Sequence, residues 1–203
     1  MIKKVVIIDY GMGNLSSVVK ALNYLKIPNC ISNQKKNIDE ADFLILPGVG
    51  SFKQGIENLK QLGLVDILDQ EVMVNQKPIL GICLGMQLFA KLGTEPTNCE
   101  GLGWIEGEVI KMKEDTLRVP HLGWNSINIK NENFIEFDQK DFYFIHSYHF
   151  NVVDKSKILA TINYGSEYVA AIQSNNIIAT QFHPEKSQFA GLKLMKHILE
   201  LYA

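Results

Sequence analysis

Three short apolar runs constrain this chain more than any other feature: Val5–Ile8, residues 43–46 and residues 79–82, each followed by apolar residues at helical spacing. A strand with no polar alternation is buried on both faces. Sheets made of such strands are parallel, with helices covering both sides. The first helical face is Leu15, Val18, Val19, Leu22 and Leu25; the next is Phe52, Ile56, Leu59 and Leu62, with Gly63 as its stop. Further helices are expected over residues 64–74 and 85–92, and residues 29–31 read as a short strand. The stretch 1–9 has too short an apolar part for a secretory leader, so it reads as the first buried strand.

After about residue 100 the pattern changes. Residues 101–112, 126–129, 142–147, 158–162, 169–173 and 177–182 read as strands with no helices between them. Tyr164-Gly165-Ser166 and Ser174-Asn175-Asn176 are turn signals, the second suited to a hairpin. A last amphipathic helix aligns Leu192, Met195, Ile198, Leu199 and Tyr202. The expectation is one domain over residues 1–203: α/β, a central mostly parallel sheet with helices on both faces, and an antiparallel β extension in the second half.

Composition excludes several functions. The net charge of −2 comes with no basic stripe, which argues against nucleic acid. No apolar run reaches 18 residues, which argues against a transmembrane helix. Three cysteines at unrelated spacings argue against a disulfide framework and for a reducing cytoplasm. No Cys/His spacing suits zinc, and no motif asks for a cofactor.

The chemistry centres on Gly81-Ile82-Cys83-Leu84-Gly85, which closes a strand-like run and opens a helix-like one. Glycines around a nucleophile at that junction make an elbow that holds the side chain exposed at the end of a sheet. A helix starting there favours thiolate. His183-Pro184-Glu185 follows another strand-like run, and Pro184 keeps the chain extended. Residues i and i+2 then face one site, so His183 can take the thiol proton and Glu185 can orient the ring. Pro47-Gly48-Val49-Gly50 can turn backbone N–H groups toward an oxyanion, with the Leu84 N–H as a second donor. Alone, each segment also has a bland reading: a buried structural thiol, a surface turn, a plain glycine-rich βα loop. Gly11-Met12-Gly13-Asn14-Leu15-Ser16 lacks the third glycine of a dinucleotide fingerprint and reads better as a tight turn whose backbone meets another surface.

Taken together, these segments resemble class I (triad) glutamine amidotransferases, and within them the glutaminase subunits of imidazole glycerol phosphate synthases. The resemblance spans essentially the whole chain. It rests on Asp9-Tyr10-Gly11-Met12-Gly13-Asn14, Leu46-Pro47-Gly48-Val49-Gly50, Gly81-Ile82-Cys83-Leu84-Gly85-Met86-Gln87, Val119-Pro120-His121-Leu122-Gly123-Trp124-Asn125, His146-Ser147-Tyr148 and Gln181-Phe182-His183-Pro184-Glu185. It implies hydrolysis of glutamine to glutamate and ammonia through a thioester on Cys83, with His183 and Glu185 completing a triad. It implies an oxyanion hole at Gly48, Val49, Gly50 and Leu84, with a peptide there that reorients on activation. It implies that Gln87, Glu95, Ser147 and Tyr148 hold glutamine. It also implies a (β/α)8-barrel cyclase partner, met by Asn14, Trp124, Tyr143 and Lys186, that receives the ammonia. Trp124 and Tyr143 read equally well as core. Ser147-Tyr148-His149-Phe150 and Glu185-Lys186-Ser187-Gln188 depart from the common pattern, which leaves two acceptors open: the histidine pathway, or a surface-polysaccharide sugar. A self-contained hydrolase and a catalytically silent regulatory subunit are the competing readings.

Overall fold

A computed structural model of the chain describes residues 2, 4–113 and 117–202. Met1 and Lys3, part of the expected first strand, lie outside the described residues. The parallel half contains β1 (Val5–Ile8), α1 (Leu15–Tyr24), β2 (Asn29–Ser32), α2 (Lys35–Asp39), β3 (Phe43–Gly48), α3 (Phe52–Gln61), α4 (Leu64–Asp69) and β4 (Ile79–Cys83). Next come α5 (Leu84–Leu88), β5 (Ala90–Gly93), β6 (Cys99–Glu100), β7 (Ile105–Lys111), β8 (His121–Ser126) and β9 (Asn128–Ile129). The chain ends with β10 (Asp141–His146), β11 (Tyr148–Val152), β12 (Ile158–Asn163), β13 (Glu167–Ser174), β14 (Ile177–Thr180) and α6 (Gln188–Glu200).

The central sheet has eight strands in the order β2-β1-β3-β4-β14-β13-β12-β9. From β2 to β14 the pairing is parallel, and β13, β12 and β9 continue it antiparallel. Strand alternation divides the apolar side chains between two cores. Val5, Ile7, Phe43, Ile45, Leu80 and Ile82 point to the side covered by α1 and α6. Val6, Ile8, Leu44, Leu46 and Ile79 point to the side covered by α2 to α5. Both predicted turns of the extension are present, with Gly165 and Asn175 at positive φ.

Several boundaries differ from the sequence reading. β3 runs through Pro47 to Gly48. Its pairing with β1 ends at Ile45, so the donor that Pro47 lacks is not needed on that side. The helix expected over 64–74 is α-helical only to Asp69, and Gln70–Val74 widens into a π turn. The helix expected over 85–92 stops at Leu88, because Ala90–Gly93 pairs with β6 and β7 instead. A side chain on Gly101 would stand 2.1 Å from the Ala90 carbonyl oxygen, so glycine there admits the close approach. Strand pairing thus overrides the helical leaning of Leu and Ala. β7 starts only at Ile105, after a turn at Gly103 with φ 72. β8 and β11 were not anticipated; β8 pairs with β10 in a two-stranded ribbon, and β11 pairs with β7 in a four-stranded layer.

Candidate active site

Cys83 ends β4 at φ 55 and ψ −108, a conformation that is strained for any residue with a side chain. Gly85 makes the corner possible, since a Cβ there would lie 1.8 Å from the Leu46 carbonyl oxygen. The thiol is buried. Its S–H reaches the Ile145 carbonyl at 3.8 Å, and Gln181 Nε2 stands 3.7 Å from the sulfur. The helix after it has only five residues, so the dipole expected to favour thiolate is small.

The charge that faces the thiol is on His183. Its Nδ1 lies 2.8 Å from Glu185 Oε1, and both side chains are 2% exposed. Its Nε2 is buried without a hydrogen-bond partner among the described residues, free for a proton to be moved. Burial alone would lower the His183 pKa. The Cys83 thiol and the Glu185 carboxylate outweigh burial and push it up to about 9. The ring is anchored through its backbone: His183 N–H donates to the Tyr143 carbonyl at 2.9 Å. The Ser187 hydroxyl donates to the His183 carbonyl at 2.6 Å and accepts from the Tyr143 N–H at 2.9 Å.

Gly48 is the register partner of Cys83 across β3 and β4. Val49, Gly50, Ser51 and Leu84 share with Cys83 one cavity of about 430 Å³. Gln87, Glu95, Ser147 and Tyr148 line the same cavity, so every residue expected to hold glutamine is brought to the thiol. Gln87 is buried, and its amide donates to the Tyr148 carbonyl at 3.0 Å and to Gln181 Oε1 at 3.1 Å. It therefore positions its neighbours as much as it faces a ligand. Glu95 accepts from the Phe52 N–H at 3.1 Å; burial raises its pKa, against the opposing pull of that bond. The first turn behaves as expected. A side chain on Gly13 would contact the Gly48 and Pro47 backbone at 3.5 Å, so its backbone does meet another surface.

Sequence reasoning missed two groups. Gln181 is one: it sits two residues before His183 in extended chain, and that parity was the available signal. The other is a buried pair. His146 donates from Nδ1 to the Tyr148 carbonyl at 2.9 Å, because a carbonyl can only accept; its Nε2 then accepts from His121 Nδ1 at 3.1 Å. Burial lowers the pKa of His121 to about 4 and of His146 to about 3, so both are neutral at neutral pH.

Trp124 and Tyr143 are register partners in the β8–β10 ribbon, with ring centroids 5.9 Å apart. Trp124 is 49% exposed, which removes the core reading. The next outward pair, Leu122 and Ile145, is 59% and 41% exposed, so the ribbon carries a contiguous apolar face. Asn14 is exposed at the start of α1, where its side chain accepts from Ser17 N–H and Ser16 Oγ. Lys186 is half-buried in the turn Pro184–Lys186, against which α1 packs. All three cysteines are free; Cys30 and Cys99, assumed to be buried, are half-buried.

The family model for class-I glutamine amidotransferases matches residues 6–197. The chain is 49% identical over 201 residues to imidazole glycerol phosphate synthase subunit HisH 1 of Campylobacter jejuni (strain RM1221), covering 97% of this chain and 100% of that one. It is 47% identical over 203 residues to subunit HisH 2 of Vibrio vulnificus (strain YJ016), covering 97% and 94%. A solved glutamine amidotransferase superposes with a TM-score of 0.77 at 20% identity, over 97% of this chain and 98% of that chain. PurLQS from Thermotoga maritima gives 0.77 at 17%, over 100% of both. At those identities the structural likeness speaks for the fold alone.

Proposed function

The chain belongs to the class-I glutamine amidotransferase family, and on that premise we propose that it is the glutaminase subunit of an imidazole glycerol phosphate synthase in histidine biosynthesis, working through Cys83, His183 and Glu185. The observation that carries the chemistry is the strained Cys83 corner beside a His183 that is bonded to Glu185 and holds its proton at neutral pH. A thiolate there attacks the carboxamide carbon of glutamine. The oxyanion is met by N–H groups of the 48–50 segment and of Leu84. His183 gives its proton to the departing nitrogen, so ammonia leaves and a γ-glutamyl thioester remains on Cys83. His183, now a base, takes a proton from water as the water adds to the thioester. Glutamate departs and the thiolate returns.

In this reading Glu95 at the cavity rim offers an anion to the substrate's ammonium group. The ammonia passes to a (β/α)8-barrel cyclase seated on the apolar ribbon face. The barrel joins it to a phosphoribulosyl aminoimidazole-carboxamide nucleotide. Apolar rings rimmed by polar groups suit such a contact. His149 and Phe150, which depart from the common pattern, do not line the cavity: Phe150 is in the core and His149 lies against Tyr168. They therefore favour no second reading of the chemistry.

Cys83→Ala in the complex tests the assignment. Glutamine-dependent synthesis should fall to background while added ammonia still supports the full rate. Survival of glutamine-dependent turnover would remove Cys83 as nucleophile. Substituting a sugar acceptor for the nucleotide in the same assay separates the two acceptors.

A further inference from the structure

Directly behind the 48–50 segment lies Tyr10, a fully buried tyrosine whose hydroxyl has no hydrogen-bond partner among the described residues. That hydroxyl stands 2.3 Å from the place where a side-chain carbon on Gly48 would be, sharing the space with Leu84 Cβ at 2.8 Å and Gly85 N at 3.1 Å. It is therefore packed against the backbone of Gly48, on the wall made by the first residues after Cys83. Burial first, and then the charge of Cys83, raise its pKa, so it stays a proton donor throughout the working range.

A buried hydroxyl with no partner carries an uncompensated desolvation cost. Such a group in a native fold is expected to gain its partner in another state. The backbone within its reach that can change state is the Gly48–Val49 peptide. It turns through ψ of Gly48, which no Cβ restrains, and φ of Val49, whose side chain is well exposed. Turning a peptide to aim its N–H into the cavity sends its carbonyl the opposite way, toward the rear wall. That wall is built of core residues, and a carbonyl arriving there needs a donor.

We propose that Tyr10 is a positioning residue for the oxyanion hole: its hydroxyl donates to the Gly48 carbonyl when the Gly48–Val49 peptide turns its N–H toward the thiol, and so stabilises the active arrangement over the resting one. This rests on the reading of Cys83 as nucleophile given above. Tyr10 touches no reacting atom; it acts through the peptide.

Tyr10→Phe, assayed in the complex with the barrel and its nucleotide substrate, is the test. Loss of one hydrogen bond in the active state alone should lower the glutamine kcat about tenfold and leave the KM for glutamine unchanged. Ammonia-dependent synthesis should not change. The uncomplexed variant should melt no lower than the parent chain, because at rest the hydroxyl has no partner among the described residues. A parental kcat, a raised KM at unchanged kcat, or a lowered melting temperature would each overturn the proposal. The last would mean that the hydroxyl is already bonded at rest. Cys83→Ala run alongside keeps the two claims apart: if it retains glutamine turnover, the nucleophile assignment fails, whatever Tyr10→Phe does.

Discussion

At the residue scale the charge on His183 decides what Cys83 can do. Its pKa of about 9 lies above the ordinary value, despite burial, because Cys83 and Glu185 both favour the imidazolium. The ring therefore adds stability fully below its unfolded pKa of about 6.5, and that contribution is lost as pH rises through the folded value. Cys83→Ser removes the sulfur that, with Glu185, helps to hold the proton on His183. The ring's NMR titration midpoint should move down in that variant, and the loss of stability on alkalinisation, which begins at the same unfolded pKa, should be smaller and complete at lower pH. An unchanged midpoint would show that Glu185 alone holds the proton. Cys83, His183 and Glu185 were legible in the sequence because each sits in a local pattern: glycines two residues either side, or an i, i+2 pair in extended chain. The His121–His146 contact was not legible, because it joins two strands through a register that no local pattern encodes.

At the element scale the fold was readable wherever burial and period agreed. β1, β3, β4 and the faces of α1, α3 and α6 follow directly from apolar runs and helical spacing. The failures lie where close backbone contact decides the outcome, as at α5 and β5, where Leu-rich sequence becomes a strand because β6 and β7 wait for it. The same contact makes two glycines respond differently. Gly85→Ala forces a methyl group onto the Leu46 carbonyl in a wall with no space, and should cost about 3 kcal/mol or more. Gly63 has φ 64 and nothing within 4 Å of a would-be side chain, so Gly63→Ala bears only left-handed backbone strain, about 1 kcal/mol. Chemical denaturation of both variants checks the order; equal losses would mean that the corner can relax around Gly85.

At the scale of the whole molecule the β8–β10 ribbon joins the proposed docking face to the thiol. Its outward side carries Trp124, Leu122 and Ile145. Its main chain meets the site: the Ile145 carbonyl accepts from the Cys83 thiol, and Tyr143 holds both the His183 N–H and the Ser187 hydroxyl. A protein seated on the proposed docking face would therefore rest on the strand whose main chain bonds Cys83 and His183. The sequence pointed to Trp124 and Tyr143 but not to Leu122 and Ile145, whose outward side depends on a strand pairing unseen in composition. Trp124→Ala separates docking from chemistry. Truncating a central aromatic anchor should weaken binding of the barrel about tenfold or more, read by calorimetric titration. The stimulated glutamine rate should then need a correspondingly higher barrel concentration to reach half its maximum. Alkylation of Cys83 in the uncomplexed chain should keep its parental rate, because no Trp124 atom holds the thiol or the imidazole. Unchanged affinity would place the partner on another face, and a slowed alkylation would mean that the indole supports the site from within the chain.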